Sequence, residues 1–225
     1  MSDETWIIDT DGLSTLAQRL ATAKSVAFDL EADAGLRYHD QVCLLQCNFD
    51  GDLFLIDPLA TKGLEVLAEG LGRTNRPLLL HGGEYDVICC KRDFGIALRG
   101  VRDTQQAATL LGLERTGYGA LVQQFLGISL EKAFARYDWA TRPLDPLAVQ
   151  YAADDVRHLP LLAERVFEQI QAKELEDEFA IANRVVEEST GRHGPFQDID
   201  LWHVRGVGKL RDQSLPVLLL SLIHI

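Results

Sequence analysis

No run of about 18 consecutive apolar residues occurs in this chain, so no membrane-spanning helix is expected. The segment MSDETWIIDT lacks a basic stretch followed by an apolar one. No secretory signal is therefore read, and the cytoplasm is the expected location. Positive charge is in deficit, with 22 Lys and Arg against 34 Asp and Glu and a net charge of −12. That balance argues against a polyanion binder held by non-specific phosphate contacts. It leaves room for an enzyme that grips a few nucleotides through bound cations, which would offset part of the acidity. Cysteine is scarce: Cys43, Cys47, Cys89 and Cys90, with no Cys-x-x-Cys pair of the kind zinc sites use. Buried, reduced thiols are expected, with Cys43, Leu45 and Cys47 on one strand face. Internal repeats and low-complexity tracts are absent.

What is present suits one sizeable domain. The chain has 225 residues, 47% apolar and 25% charged, enough to bury a core without disulfides. Strands are predicted at 6–8, 25–30, 42–49, 53–57, 77–81 and 99–102. Helices are predicted at 12–23, 64–71, 84–93, 118–126, 129–134, 146–171 and 174–188, with another beginning at Asp103. Asp50-Gly51 marks a hairpin turn, so the strands at 25–30, 42–49 and 53–57 should be antiparallel neighbours. Later strands alternate with helices, which implies parallel pairing. The fold class is therefore α/β, a mixed sheet flanked by helices. The breaker cluster Gly191–Pro195 divides a domain at 1–190 from a remainder at 191–225.

Three segments carry acids in forms one site could use. An apolar strand runs into Phe28-Asp29-Leu30-Glu31, and period-two alternation puts Asp29 and Glu31 on one face. Two carboxylates side by side are unfavourable without a compensating cation, and a hard divalent ion with oxygen ligands supplies one. The strand Leu78-Leu79-Leu80 ends at His81-Gly82-Gly83, and Asp86 falls in the first turn of the next helix. Glu84 competes with it there. Tyr151 and Asp155 share a helix face at i, i+4, while Asp154 points about 100° away toward solvent. Singly, each segment also fits a plain structural role: a strand end in solvent, an acid near a helix N-terminus, a surface pair. Together they describe a two-metal centre, in which carboxylates converge on ions about 3.5–4 Å apart.

At these residues the sequence resembles the DEDD exonuclease superfamily, in the branch with a tyrosine in the third motif, and is most similar to the ribonuclease D group. Asp29-Leu30-Glu31 looks like motif I, the segment ending in Asp86 like motif II, and Tyr151 through Asp155 like motif III. The likeness extends to Val42–Gln46, Leu55–Pro58, Val101–Thr104 and Asp138–Leu144, covering about residues 5 to 190. It implies an RNase H-like fold and hydrolysis from a single-stranded RNA 3′ end, releasing nucleoside 5′-monophosphates. It implies two divalent ions, Mg2+ or Mn2+. Asp29, Glu31 and Asp155 would hold the first. Asp29 would bridge to the second, held by Asp86 partly through water. Tyr151 would orient the attacking water. Trimming of tRNA precursors rests on the resemblance alone. The alternatives are a proofreading-like DNA exonuclease and a catalytically weak nucleic-acid-binding module.

Further substrate contacts are assigned by position. His81 lines the site or is a hydrogen-bonded structural residue. Leu36 and Tyr38, just after motif I, form an apolar wedge under the terminal base. Arg142 and Arg157 flank motif III and are the favoured phosphate contacts; Lys91, Arg92, Lys132 and Arg136 are further cations of the same rim. Asp33 is expected in solvent. Asp103 is expected to be a helix N-cap, with Gln106 at the capping-box position. Leu201–Leu210 resembles the start of a helical HRDC domain, which would aid RNA binding. The apolar end at 215–225 suggests a truncation and an exposed, self-associating segment.

Overall fold

The computed structural model describes residues 4–33, 40–130, 134 and 137–190, all within one compact unit, Met1–Thr190. Leu36, Tyr38, Lys132, Arg136, residues 131–133 of the expected helix at 129–134 and everything from 191 onward lie outside the described residues. Ser129 and Leu130 are not helical. Among the described residues no helix is long and apolar enough to cross a membrane.

Six strands form one mixed sheet: β1 (Thr5–Ile7), β2 (Val26–Ala32), β3 (Val42–Phe49), β4 (Asp52–Ile56), β5 (Leu78–Leu80) and β6 (Val101–Asp103), in the order β1-β4-β3-β2-β5-β6. β2, β3 and β4 are antiparallel, and β5 and β6 add in parallel beside β2. The β3–β4 turn places both Asp50 and Gly51 at positive φ, the conformation a two-residue hairpin turn requires. β1 pairs in parallel with β4 at the far edge, a long-range pairing with no local signal.

The helices are α1 (Thr10–Thr22), α2 (Ala68–Leu71, continuing a 3-10 turn at Leu64–Leu67), α3 (Glu84–Phe94), α4 (Thr104–Leu110), α5 (Tyr118–Leu126), α6 (Pro146–Arg157), α7 (Leu159–Ala172) and α8 (Glu176–Glu187). One sheet face buries Val26, Phe28, Leu30, Leu45, Cys47 and Ile56 against Leu13, Leu16, Leu20, Leu67 and Val87. The other buries Ala27, Leu44, Leu53, Leu55 and Leu79 under Ala148, Ala152, Ala153 and Val156 of α6. Those alanines are fully buried, so α6 lies close on the strands that carry the acids. A third cluster ties α4, α5, α7 and α8 together through Ala107, Leu121, Leu162, Val166 and Phe179.

Two sequence expectations need correction here. The helix expected over 146–171 is two helices, parted at His158. Pro160 has no N–H for the Val156 carbonyl, and its ring crowds that turn. Asn48 on β3 fills the gap, donating Nδ2–H to the carbonyls of Val156 (3.0 Å) and Arg157 (3.2 Å). The cysteines are buried and outside any disulfide, as expected, but Cys43 and Cys47 do not share a face. Glu31 pairs with Leu44 and Ala32 with Val42, so Cys43 is the extra residue of a β-bulge. Cys43 packs with Leu44 under α6, while Leu45 and Cys47 face the opposite layer.

Candidate active site

β2 brings its acids to the α6 face. Val26, Phe28 and Leu30 fill one core, so Asp29 and Glu31 project into the other layer. α6 lies across that layer and lowers Asp155 toward them. Oxygen atoms from Asp29, Glu31 and Asp155 all fall within 4.8 Å of one another. Asp86, in the first turn of α3, is buried at 6% exposure, whereas Glu84 is exposed. Asp86 lies outside the tight three-acid group but close enough to repel its members.

The four acids share one electrostatic problem. Burial pushes Asp29 up to about 7, with only the Leu30 backbone N–H pulling it down. Burial, then repulsion from Asp29 and Asp154, lifts Asp155 to about 8. Glu31 is raised well above its ordinary range by burial and then by Asp29, Asp155 and Asp86. Asp86 is raised well above its range by burial, then by Asp29, Asp103 and Asp155. All-oxygen donors, close convergence and unrelieved negative charge fit a hard divalent cation.

Tyr151 stands one helical turn before Asp155. Burial and the charges of Asp155, Glu31 and Asp29 raise its phenol well above normal, so the hydroxyl keeps its proton. Its ring packs at 6.3 Å from Trp139 and 6.1 Å from Phe134, with Tyr137 bridging those two at 5.1 and 5.6 Å. On one side of it opens a recess of about 310 Å³ lined by Leu130, Phe134, Leu147, Gln150, Tyr151, Asp154 and Asp155. A smaller cavity of about 180 Å³ lies between Asp29, Asp155, Phe28, His81, Tyr118 and Leu159. A larger groove of about 460 Å³ beside β6 and α8 offers no such acid cluster; it is lined by Arg102, Asn183, Arg184 and Glu187 among others.

A sequence model described as 3′-5′ exonuclease matches residues 5–171. The chain belongs to the 3′-5′ exonuclease family. It is 37% identical to ribonuclease D of Xanthomonas oryzae over 149 residues, covering 65% of this chain and 41% of that protein. With ribonuclease D of Zymomonas mobilis it shares 34% over 171 residues, covering 74% and 44%. The crystal structure of Escherichia coli RNase D superposes with a TM-score of 0.80 at 26% identity, covering 95% of this chain and 57% of that one. The chain thus spans less than half the length of either curated relative. The RNase H-like mixed sheet expected from the motifs is the fold that this family likeness and superposition support.

Several residues assigned by position have other partners in this exonuclease fold. Arg142 is not free to grip phosphate. It pairs with Asp57 through Nε (2.7 Å) and Nη2 (2.8 Å) and donates to the carbonyls of Cys43, Trp139 and Thr141. That clamp fixes the loop before α6 onto β3 and β4. Arg157 pairs with Glu4 (2.6 Å) and Asp154 (2.8 Å), so Asp154 is ion-paired and half-buried rather than freely solvated. Arg92 pairs with Asp40 and Asp93, while Lys91 is exposed. Asp33 is fully buried, not in solvent, and accepts the Gln41 N–H at 2.8 Å.

His81 lines the smaller cavity and is also tied down, its Nδ1 lying 2.9 Å from Thr104 Oγ1. Burial lowers it to about 4, against smaller upward effects from Asp103 and the Thr116 backbone. Asp103 is the N-cap of α4, accepting from Gln105 and Gln106 N–H. It also accepts from Gly82 and Gly83 N–H at 3.0 and 2.8 Å, which folds the turn before Asp86. Its own N–H goes to Asn183 of α8, the role a capping-box Gln106 would have taken. Tyr118 was invisible as a site residue. It opens α5, donates to the Asp154 carbonyl at 3.0 Å, and faces Asp29 and Asp155 across the cavity. No local pattern marks it, because its partners are about 40 to 90 residues away in sequence.

Proposed function

We propose that the chain is a two-metal 3′→5′ exoribonuclease, with residues 1–190 as its exonuclease domain. The carrying observation is the convergence of Asp29, Glu31 and Asp155 within 4.8 Å, beside buried Asp86 and next to Tyr151. Asp29, Glu31 and Asp155 would hold one cation, and Asp29 with Asp86 would hold the other. Bound Mg2+ or Mn2+ would generate hydroxide from water and neutralise charge at the phosphorus and the leaving 3′-oxygen. Tyr151, protonated, holds the attacking water in line by its hydroxyl. The recess beside Tyr151 receives the terminal nucleoside, with Leu130, Phe134 and Leu147 supplying its apolar wall. Water adds to phosphorus, the P–O3′ bond breaks, and a nucleoside 5′-monophosphate leaves.

RNA is the favoured substrate because the Escherichia coli relative is an exoribonuclease involved in structured RNA processing. By the same likeness a single-stranded RNA 3′ end, including that of a tRNA precursor in the cytoplasm, is the partner. Residues 191–225 then begin an HRDC-like RNA-binding segment. The test is Mg2+- or Mn2+-dependent release of mononucleotides from 3′-labelled RNA and matched DNA. Asp29→Ala and Asp155→Ala should each abolish release from RNA. Retained activity in either would remove the site assignment. Preference for DNA would select the proofreading-like alternative, and binding without cleavage the catalytically weak module.

A further inference from the structure

Gln46 is fully buried, and among the described residues neither its Oε1 nor its Nε2 has a hydrogen-bond partner. Among the described residues it is the only carboxamide with both polar atoms in that state. A buried amide is costly to leave unpaired, so its retention in the middle of β3 calls for a task. Its position suggests one. Gln46 is the cross-strand partner of Asp29 on β2 and of Leu55 on β4. Direct cross-strand partners share a sheet face, with Cβ atoms about 4.5–5.5 Å apart. Gln46 therefore stands beside Asp29 in the layer covered by α6, within reach of its carboxylate. The next side chain on that face, Asn48, already uses its amide to anchor α6. Asp29, by contrast, draws on the Leu30 backbone N–H alone among the described residues.

We propose that Gln46 is a positioning residue for the metal site. Its Nε2–H donates to the Asp29 carboxylate when that carboxylate coordinates a divalent cation, fixing the plane in which Asp29 presents its oxygens. This rests on the proposed role of Asp29 as a ligand. Partners that hold a ligand from behind typically contribute tenfold or more to metal affinity.

The test is calorimetric titration of the full chain with Mn2+, paired with thermal melts in chelator. Gln46→Met keeps the volume and removes the amide. It should weaken Mn2+ binding roughly tenfold, leave the metal-free Tm unchanged or higher, and lower kcat on RNA at saturating metal without moving KM. Gln46→Asn keeps the amide but withdraws it by one methylene, and should weaken binding in the same direction. Wild-type Mn2+ affinity in both variants would overturn the proposal. So would weakened affinity accompanied by a lower metal-free Tm, which marks a purely structural role. Asp29→Ala separates the two readings. If it binds Mn2+ as tightly as wild type, the ligand assignment itself fails, and the role of Gln46 with it.

Discussion

Tyr151 shows how one side chain acquires a role from its surroundings. Its ring belongs to an aromatic group with Phe134, Tyr137 and Trp139, so removing only the hydroxyl should leave packing intact. Burial and the three neighbouring carboxylates of Asp155, Glu31 and Asp29 keep the hydroxyl protonated. Tyr151→Phe should therefore fold with an unchanged Tm and bind RNA with an unchanged KM. Its kcat should fall about a hundredfold, the usual cost of losing one aimed donor. Steady-state kinetics on labelled RNA decides it; a kcat within twofold of wild type would relieve Tyr151 of its role. Arg142 is the opposite case, a residue whose sequence position suggested substrate and whose contacts are structural. Arg142→Lys keeps the charge but loses the fork that spans Asp57 and three carbonyls. It should cost roughly 2 kcal/mol in urea unfolding. A loss of RNA affinity without loss of stability would restore the phosphate-binding assignment.

At the scale of elements, the site depends on how α6 is set down. The helix is slim where it meets the sheet, is entered through the Arg142 clamp, and ends where Pro160 denies the Val156 carbonyl its usual donor. Asn48 and Tyr118 then hold the last turn, the one that carries Asp155, to β3 and α5. Asn48→Ala should leave two half-buried carbonyls unpaired and cost about 1–2 kcal/mol. It should also lower kcat more than it raises KM, because Asp155 loses its mooring. Unfolding curves alongside kinetics check both halves. Equal stability with equal kcat would show that α6 is held by packing alone.

The same element shows what could be read in advance. Periodicity located α6, placed Tyr151 and Asp155 on one face, and put Asp29 and Glu31 on one side of β2. Those are local facts. The break at His158 was carried by Pro160 but outweighed by the continuing apolar period, since α7 keeps the same phase. The β1–β4 pairing and the Asp103 contacts to Gly82 and Gly83 join distant segments, while the Cys43 bulge and the burial of Asp33 arise where β2 and the start of β3 come together; no local pattern encodes them. The ion-pair partners of Arg142 and the second partner of Arg157 were hidden for the same reason. A cation's nearest acid in space, here Asp57 or Glu4, is 85 or 153 residues away in sequence.

For the whole molecule, the acid cluster couples folding to protons and cations. An unfolded Asp titrates near 3.9, whereas Asp29 and Asp155 in the fold titrate at about 7 and about 8. Each folded value lies above the unfolded one. The native state therefore binds more protons between those values, and stability falls as pH rises from about 4 to 8. In chelator, Tm should be higher at pH 5 than at pH 8. Mn2+ should raise Tm most at pH 8, because it binds the native carboxylates in their charged form. The net charge of −12 would also favour lower pH through general repulsion, so the slope alone is not decisive. Asp155→Asn separates the two causes. It changes the total charge by a single unit yet removes one of the strongly shifted groups and eases the others. It should raise the metal-free Tm at pH 8, flatten the pH slope and erase most of the Mn2+ increment. A Tm in chelator that rises from pH 5 to 8, or an Asp155→Asn protein that keeps the full Mn2+ response, would mean that these carboxylates do not hold the cation together.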